Sequence, residues 1–204
     1  MKHWRIGAVT ITCIREGSLG GLLNHILPQA TPDALDAIPW LKPDFVDDAH
    51  VLRGFVHAFV VQTPARRIIV DTCIGNDKNF DPYRPAWSHM QTSFMRDLIA
   101  AGFPPESIDT VLCTHMHADH IGWNTTLVDG KWLPTFRNAR YLFSRPEYAA
   151  EQRRNADPTR DDLRSQALRN AALESIKPVF DAGLADLVET EHRVCDEVRL
   201  VPTL

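Results

Sequence analysis

The chain has no C-x-x-C pair, no long apolar run, no excess of basic residues and no Ser-His-Asp or G-x-S-x-G signature. Each absence removes a class of protein. Cys13, Cys73, Cys113 and Cys195 are scattered singly, each in or beside an apolar stretch, so buried reduced thiols are expected rather than a closed cysteine zinc site or a disulfide scaffold. No apolar run reaches the roughly 18 residues of a membrane span. The start, MKHWRIGAVTITCI, alternates polar and apolar positions without the apolar core and cleavage site of a secretory signal, which gives a cytoplasmic expectation. A net charge of −4 offers no basic footprint, so neither nucleic acid nor an anionic membrane is expected as a partner. Serine-nucleophile and P-loop chemistry have no motif to stand on.

What is present is an ordinary globular composition, 204 residues with 44% hydrophobic, enough for a single domain over 1–204. Alternation predicts a strand over 4–14, ended by EGSLGG. Residues 21–50 carry Pro28, Pro32, Pro39 and Pro43 among Leu22, Leu23, Trp40 and Phe45, a pattern for a lid or interface loop that is partly helical. Strands over 54–63 and 66–72 flank a Pro-Ala connection suited to a hairpin. Met90, Phe94, Met95, Leu98 and Ile99 recur at helical spacing, predicting a helix over 88–103 with Ser88 as cap and Gly102 as stop. Strands at 107–115 and 139–144 follow, then helices over 145–154 and about 160–181 with a boundary at Pro178, and short strands at LVET and VRLV. The mixed order is α/β or α+β.

The densest chemistry is THMHADHIGWN, residues 114–124, with His115, His117, Asp119 and His120 inside six positions. In extended backbone, residues i and i+2 face one side, so His115 and His117 can aim two imidazole nitrogens at one point, and Asp119 shares their parity. His120 needs a turn, for which small Ala118 and flexible Gly122 leave room. Imidazole and carboxylate suit borderline divalent metals. Without a metal, crowding them stacks desolvation upon repulsion. Two metals about 3.5–4 Å apart would divide the cluster into one pair of ligands each, and an open position would hold water whose pKa falls to near 7.

The run His115-Met116-His117-Ala118-Asp119-His120 resembles the H-x-H-x-D-H signature of the metallo-β-lactamase superfamily, and IIVDTCIG at 68–75 resembles that family's earlier strand ending in Asp. The resemblance implies an αββα sandwich, incomplete at the C-terminus, with two metal ions at the sheet edge. His115 and His117 would serve the first ion, Asp119 and His120 the second. Zinc is the implied metal, while iron, manganese and cobalt accept similar ligands. Asp71 would be an outer partner orienting a ligand histidine, or else a strand-end residue capping a turn. The family's later Pro-Gly-His-like turn, bridging aspartate and last histidine have no counterpart, and VRLVPTL resembles the strand leading into the first of them. The chain is therefore expected to cover about the first two thirds of the family's domain. His25, His50, His57, His89 and His192 are the histidines that could stand in.

The resemblance further implies hydrolysis, with metal ions polarising a carbonyl or phosphoryl oxygen and a metal-bound hydroxide attacking. Asp119 would orient that hydroxide and carry a proton to the leaving group. The long N-terminal segment and the HIGWN ending are similar to the lactonase and organophosphate-hydrolase-like branch. That implies a small-molecule substrate, an apolar ester or lactone, with Trp123 and the early loop around the pocket; Trp123 as plain core packing is equally open. Other hydrolyses on this fold, of a phosphoester, thioester or β-lactam, are the alternatives, as is a two-iron redox member, for whose flavin module the chain has no room. A different class also stands: a catalytically impaired fragment that associates with a partner chain, or as a homodimer, through an exposed edge.

Overall fold

The computed structural model describes residues 2–203. Along the chain run β1 (Lys2–Ile6), β2 (Val9–Ser18), α1 (Leu22–Ile26), α2 (Pro32–Asp36), β3 (Phe55–Gln62), β4 (Arg67–Val70), α3 (Phe94–Ala100), β5 (Thr110–Leu112) and α4 (Ala118–Ile121). The second half adds β6 (Thr125–Val128), β7 (Lys131–Pro134), β8 (Arg140–Ser144), α5 (Arg145–Ala156), α6 (Leu163–Ser175), α7 (Lys177–Asp181), β9 (Ala185–Val188), β10 (His192–Arg193) and β11 (Arg199–Leu200). Seven strands form one mixed sheet in the order β1-β2-β3-β4-β5-β8-β9, and β6-β7 and β10-β11 are separate pairs. The sheet is antiparallel from β1 to β4 and parallel from β4 to β9. This is the α/β architecture the sequence predicts, a large mixed sheet packed with helices.

Burial follows the change of pairing. Antiparallel β3 alternates, with Val56, Ala58 and Val60 buried and their neighbours partly exposed, as a strand with one covered face should. Parallel β5 is buried at every position, and β8 buries Tyr141, Leu142 and Phe143 in succession, as strands covered on both faces do. Phe94 and Leu98 of α3, one helical turn apart, join this core, as do Ala167 and Ala171 of α6. The small residues let α6 lie close to α4 and the Gly122–Asn124 turn.

The structure corrects several expectations. The strand expected over 4–14 is the hairpin β1-β2, because Gly7 adopts φ 61° and turns the chain. The helix expected over 88–103 is shortened to Phe94–Ala100. His89 sits at φ 51°, and Thr92 is drawn away by bonds to Asn76 and Glu16. Residues 21–50, expected to be partly helical, hold α1 and α2; Thr31 caps α2 by accepting from Ala34 N, and Val46 is fully buried in a bridge to Leu52. The β6-β7 hairpin was unexpected, although its Asp129-Gly130 turn, with both residues at positive φ, is the usual two-residue hairpin signal.

Candidate metal centre

Three neighbouring parallel strands deliver the site from their C-terminal ends, where open α/β sheets bind ligands. β4 ends in Asp71, β5 runs into Thr114 and His115, and β8 runs into α5 with Glu147 in its first turn. Asp71 takes φ 58°, which turns its carboxylate toward the next loop. One oxygen accepts from Thr114 N at 2.8 Å, and the other accepts from His120 Nδ1 at 2.8 Å and Thr114 Oγ1 at 2.9 Å. Asp71 thus bonds both the backbone of the following strand's end and the His120 ring.

The loop itself is fixed by backbone contact. Thr72 N donates to His120 O at 2.8 Å, Gly122 N to Cys73 O at 2.7 Å and Trp123 N to Thr72 O at 2.8 Å. Gly122 has an ordinary helical φ of −61°, so flexibility is not its use. A Cβ there would stand 1.7 Å from Ile74 O. Glycine is required because two backbones touch. Glu16, from β2, accepts from Ile74 N, Gly75 N, Thr92 Oγ1 and Trp123 Nε1. Burial raises its pKa, and those four donors pull it back. Glu147 accepts from Met116 N at 2.8 Å and so sets the backbone between His115 and His117.

Within this frame the side chains converge. His115 Nε2 and His117 Nδ1 lie 3.1 Å apart, and the His115 and His120 rings are 3.9 Å apart at their centroids. His120 Nε2 stands 3.6 Å from Asp119 Oδ2. The chain turns into α4 at Ala118, so Asp119 arrives with His120 on a helical turn and not by the strand parity expected for it. Burial opposes a charge on His120, but the bond and charge of Asp71, with Asp119 and Glu147 behind it, outweigh that and raise its pKa above the ordinary value. His115 is lowered, by burial first and then by His120 and His117.

Two nitrogens each about 2.0–2.1 Å from a tetrahedral metal lie roughly 3.3–3.4 Å apart. The His115–His117 and Asp119–His120 separations are close to that on both sides. Among the described residues no three His, Cys, Asp or Glu side chains surround one point; the donors come as two pairs. Their tautomers, assigned from the network, suit the task. With Asp71 taking the Thr114 hydroxyl proton, His115 Nδ1–H donates to Thr114 Oγ1 at 3.1 Å and leaves Nε2 as a donor atom. His120 does the same through Nδ1–H to Asp71. His117 has no hydrogen-bond partner but His115 among the described residues, so its proton can move to Nε2. The residues present fit divalent metal in pairs.

Three of the five histidines that could stand in have other partners: His50 pairs with Asp36 at 3.0 Å, His57 with Phe55 O at 3.0 Å, and His89 faces Asp81 at 3.9 Å; His25 lies in α1 and His192 in β10. Trp123 is core, stacked on Phe94 at 5.8 Å and held by Glu16. Trp40 and Phe45 pack on each other, both exposed. Leu22 and Leu23 do line a pocket of about 560 Å³ that His117 and Asp119 border.

The family model of the metallo-beta-lactamase superfamily matches residues 51–203. The chain belongs to that superfamily. Solved structures of similar fold include the hydrolase AbOPH in the beta-lactamase superfamily, at 20% identity and TM-score 0.65 over 92% of this chain and 60% of that one. A probable metal-dependent hydrolase from Staphylococcus aureus matches at 20% identity and TM-score 0.66, over 96% of this chain and 64% of that one. AidC, a dizinc quorum-quenching lactonase bound to its product, matches at 19% identity and TM-score 0.64, over 96% and 63%. The chain thus spans 60–64% of the length of these three solved chains. No curated protein matches it in sequence. Among the described residues no helix is long and apolar enough to cross a membrane.

Proposed function

We propose that this superfamily member hydrolyses an ester or lactone bond in a small, largely apolar substrate, with divalent metal, zinc by preference, held by His115 and His117 and by Asp119 and His120. The observation that carries the reading is the convergence of two donor pairs, His115 with His117 and Asp119 with His120, in which the Nδ1 protons of His115 and His120 are committed to Thr114 and Asp71. Bound metal supplies Lewis acidity and a nucleophilic water at neutral pH. The chain's own residues do the rest. Asp71 holds His120 directly, and His115 through Thr114, in the tautomer that presents Nε2, Glu147 fixes the backbone between His115 and His117, and Asp119 is the carboxylate that would take and return a proton. The apolar wall of Leu22 and Leu23 excludes water from one side of the pocket. The lactonase described for AidC supports ester-type substrates by likeness of fold.

The test is metal analysis of the purified protein with a panel of lactones and aryl esters. Stoichiometric metal that His117→Ala removes, and hydrolysis that His115→Ala abolishes, are expected. Metal content unchanged by His117→Ala overturns the site.

A further inference from the structure

The pocket beside His117 and Asp119 combines two kinds of surface. Its lining is aliphatic at Leu22, Leu23 and Ile26 and aromatic at Tyr83 and Trp87. At about 560 Å³ it falls in the range of roughly 300–1,000 Å³ typical of small-molecule sites. Arg84 and Arg164 line it as well. Neither makes an ion pair among the described residues.

No acid nearby pairs with either among the described residues: Asp119, which lines the same pocket, lies 3.6 Å from His120 Nε2, and the others have different partners. Asp162 accepts from Ser165 N and Oγ, Asp161 bonds Gln166 and lies 3.7 Å from Arg169, and Asp81 faces His89. Elsewhere on this surface arginines meet acids when one is in reach, as Arg140 does with Asp186 and Arg145 with Glu189. The Arg84 guanidinium is also pre-positioned: it stacks 4.8 Å from the Trp87 ring and 5.3 Å from that of Tyr83. A stacked guanidinium loses little freedom when it takes an anion, and its planar fork matches carboxylate or phosphate oxygens.

We propose that this pocket selects amphiphilic anions, substrates that join an apolar chain or ring to a carboxylate or phosphate, and that Arg84 and Arg164 recognise the anionic group. The proposal rests on the preceding one only in treating the pocket as the substrate's. Its chemistry is separable, because anion recognition by the two arginines needs neither metal nor hydrolysis.

The experiment is calorimetric titration of the chelator-stripped protein with decanoate, decyl phosphate and decanol. Stripping keeps the anion from binding metal instead. At least one of the two anions is expected to bind about tenfold more tightly than decanol, as a charge-assisted hydrogen bond allows, and which one does so names the group. That preference should fall as salt rises, disappear in the double variant Arg84→Gln/Arg164→Gln and survive in part in Arg84→Lys. Equal binding of all three ligands, a preference indifferent to salt, or one retained in the double glutamine variant overturns the proposal. Because the salt arm uses the unaltered chain, poor folding of a variant leaves the test intact. Loss of ester hydrolysis with the anion preference intact would instead count against the catalytic reading alone.

Discussion

The loop from His115 to Trp123 and the segment around α1 border the same pocket, yet they are held in opposite ways. The loop is bonded backbone to backbone against residues 72–75, with Cys73, Ile121 and Trp123 buried and Glu16 satisfying four donors from one carboxylate. In contrast α1 has no buried residue and no side-chain cap, Ile26 is 56% exposed and Trp40 70%. Elements with few buried contacts open at low free-energy cost, and those in the core only with global unfolding. On the proposed function, metal ligation would belong to the rigid side, where a misplacement of an ångström is costly, and substrate fit to the side that can adjust.

The sharpest way to break this comparison is Gly122→Ala. Its Cβ would meet backbone atoms, Ile74 O at 1.7 Å and Ile74 C at 1.9 Å, and no side-chain rotation relieves that. A loss above about 4 kcal/mol is expected, the exceptional class, read as failure to fold or as a collapsed midpoint in urea. A variant near the stability of the parent would mean that the loop is not fixed as described. Glu16→Gln should cost less, about 1–3 kcal/mol, because the amide nitrogen then faces N–H groups and leaves at least one donor unpaired.

Asp71→Asn tests the same frame from the side of the ligands. The amide can donate to His120 Nδ1 and so favour the wrong tautomer, and outer partners of this kind are worth about 10–100-fold in metal affinity. Competition with a chromogenic chelator should read that drop while circular dichroism stays unchanged. Unaltered affinity would remove Asp71 from the site.

Lys78 probes the far side of the rigid region. Its ammonium is fully buried, donates to Thr125 Oγ1 at 2.7 Å and lies 3.4 Å from the Trp132 ring centroid. Burial lowers its pKa to about 7, against the opposing pull of Glu174 and Asp77. An unfolded lysine titrates near 10.4, so between about pH 7 and pH 10 the unfolded chain holds a proton that the folded one has released. This group's contribution to stability therefore rises with pH across that window, and below about pH 7 both states are charged and the whole burial penalty stands. Lys78→Met should remove the rise. From about pH 6.5 to about pH 8 the parent should gain roughly 1 kcal/mol on the variant. Staying below the range where thiols titrate avoids the opposite effect of buried Cys73 and Cys113, whose pKa values are raised. A difference that does not change with pH would mean that Lys78 titrates normally.

The two regions were also unequally legible in the sequence. Strand alternation and the spacing of His115, His117, Asp119 and His120 are local signals, and they located the sheet core and the donor cluster. Glu16 and Glu147 act across 58 and 31 residues on the backbone of Ile74 and Met116. In a strand such as REGS, or in the first turn of a helix, such an acid reads as a solvated face, so nothing local marked them. Thr114 carries no mark of its own, because its role needs the position of Asp71, 43 residues earlier. Gly122 reads in sequence as a flexible turn, because a close approach between backbones leaves the same mark. Arg84 and Arg164 had no local signal at all: only the fold brings them to one pocket with His117.

The smallest expected effect falls on the N-terminal segment outside the pocket. Trp40 packs edge-on against Phe45 with ring centroids 5.9 Å apart, and both rings stay largely exposed, at 70% and 54%. Such a pair contributes about 0.5–1.5 kcal/mol when well packed, and exposure holds this one to the low end, so Trp40→Ser should change stability by no more than about 0.5 kcal/mol. Neither ring lines the pocket, so metal content and the binding of decanoate relative to decanol should also be unchanged. A loss comparable to that of Glu16→Gln would show that the N-terminal segment is as tightly determined as the ligand loop. The division of labour between a fixed chemical centre and a yielding substrate wall would then have to be abandoned, because both sides of the pocket would open only together.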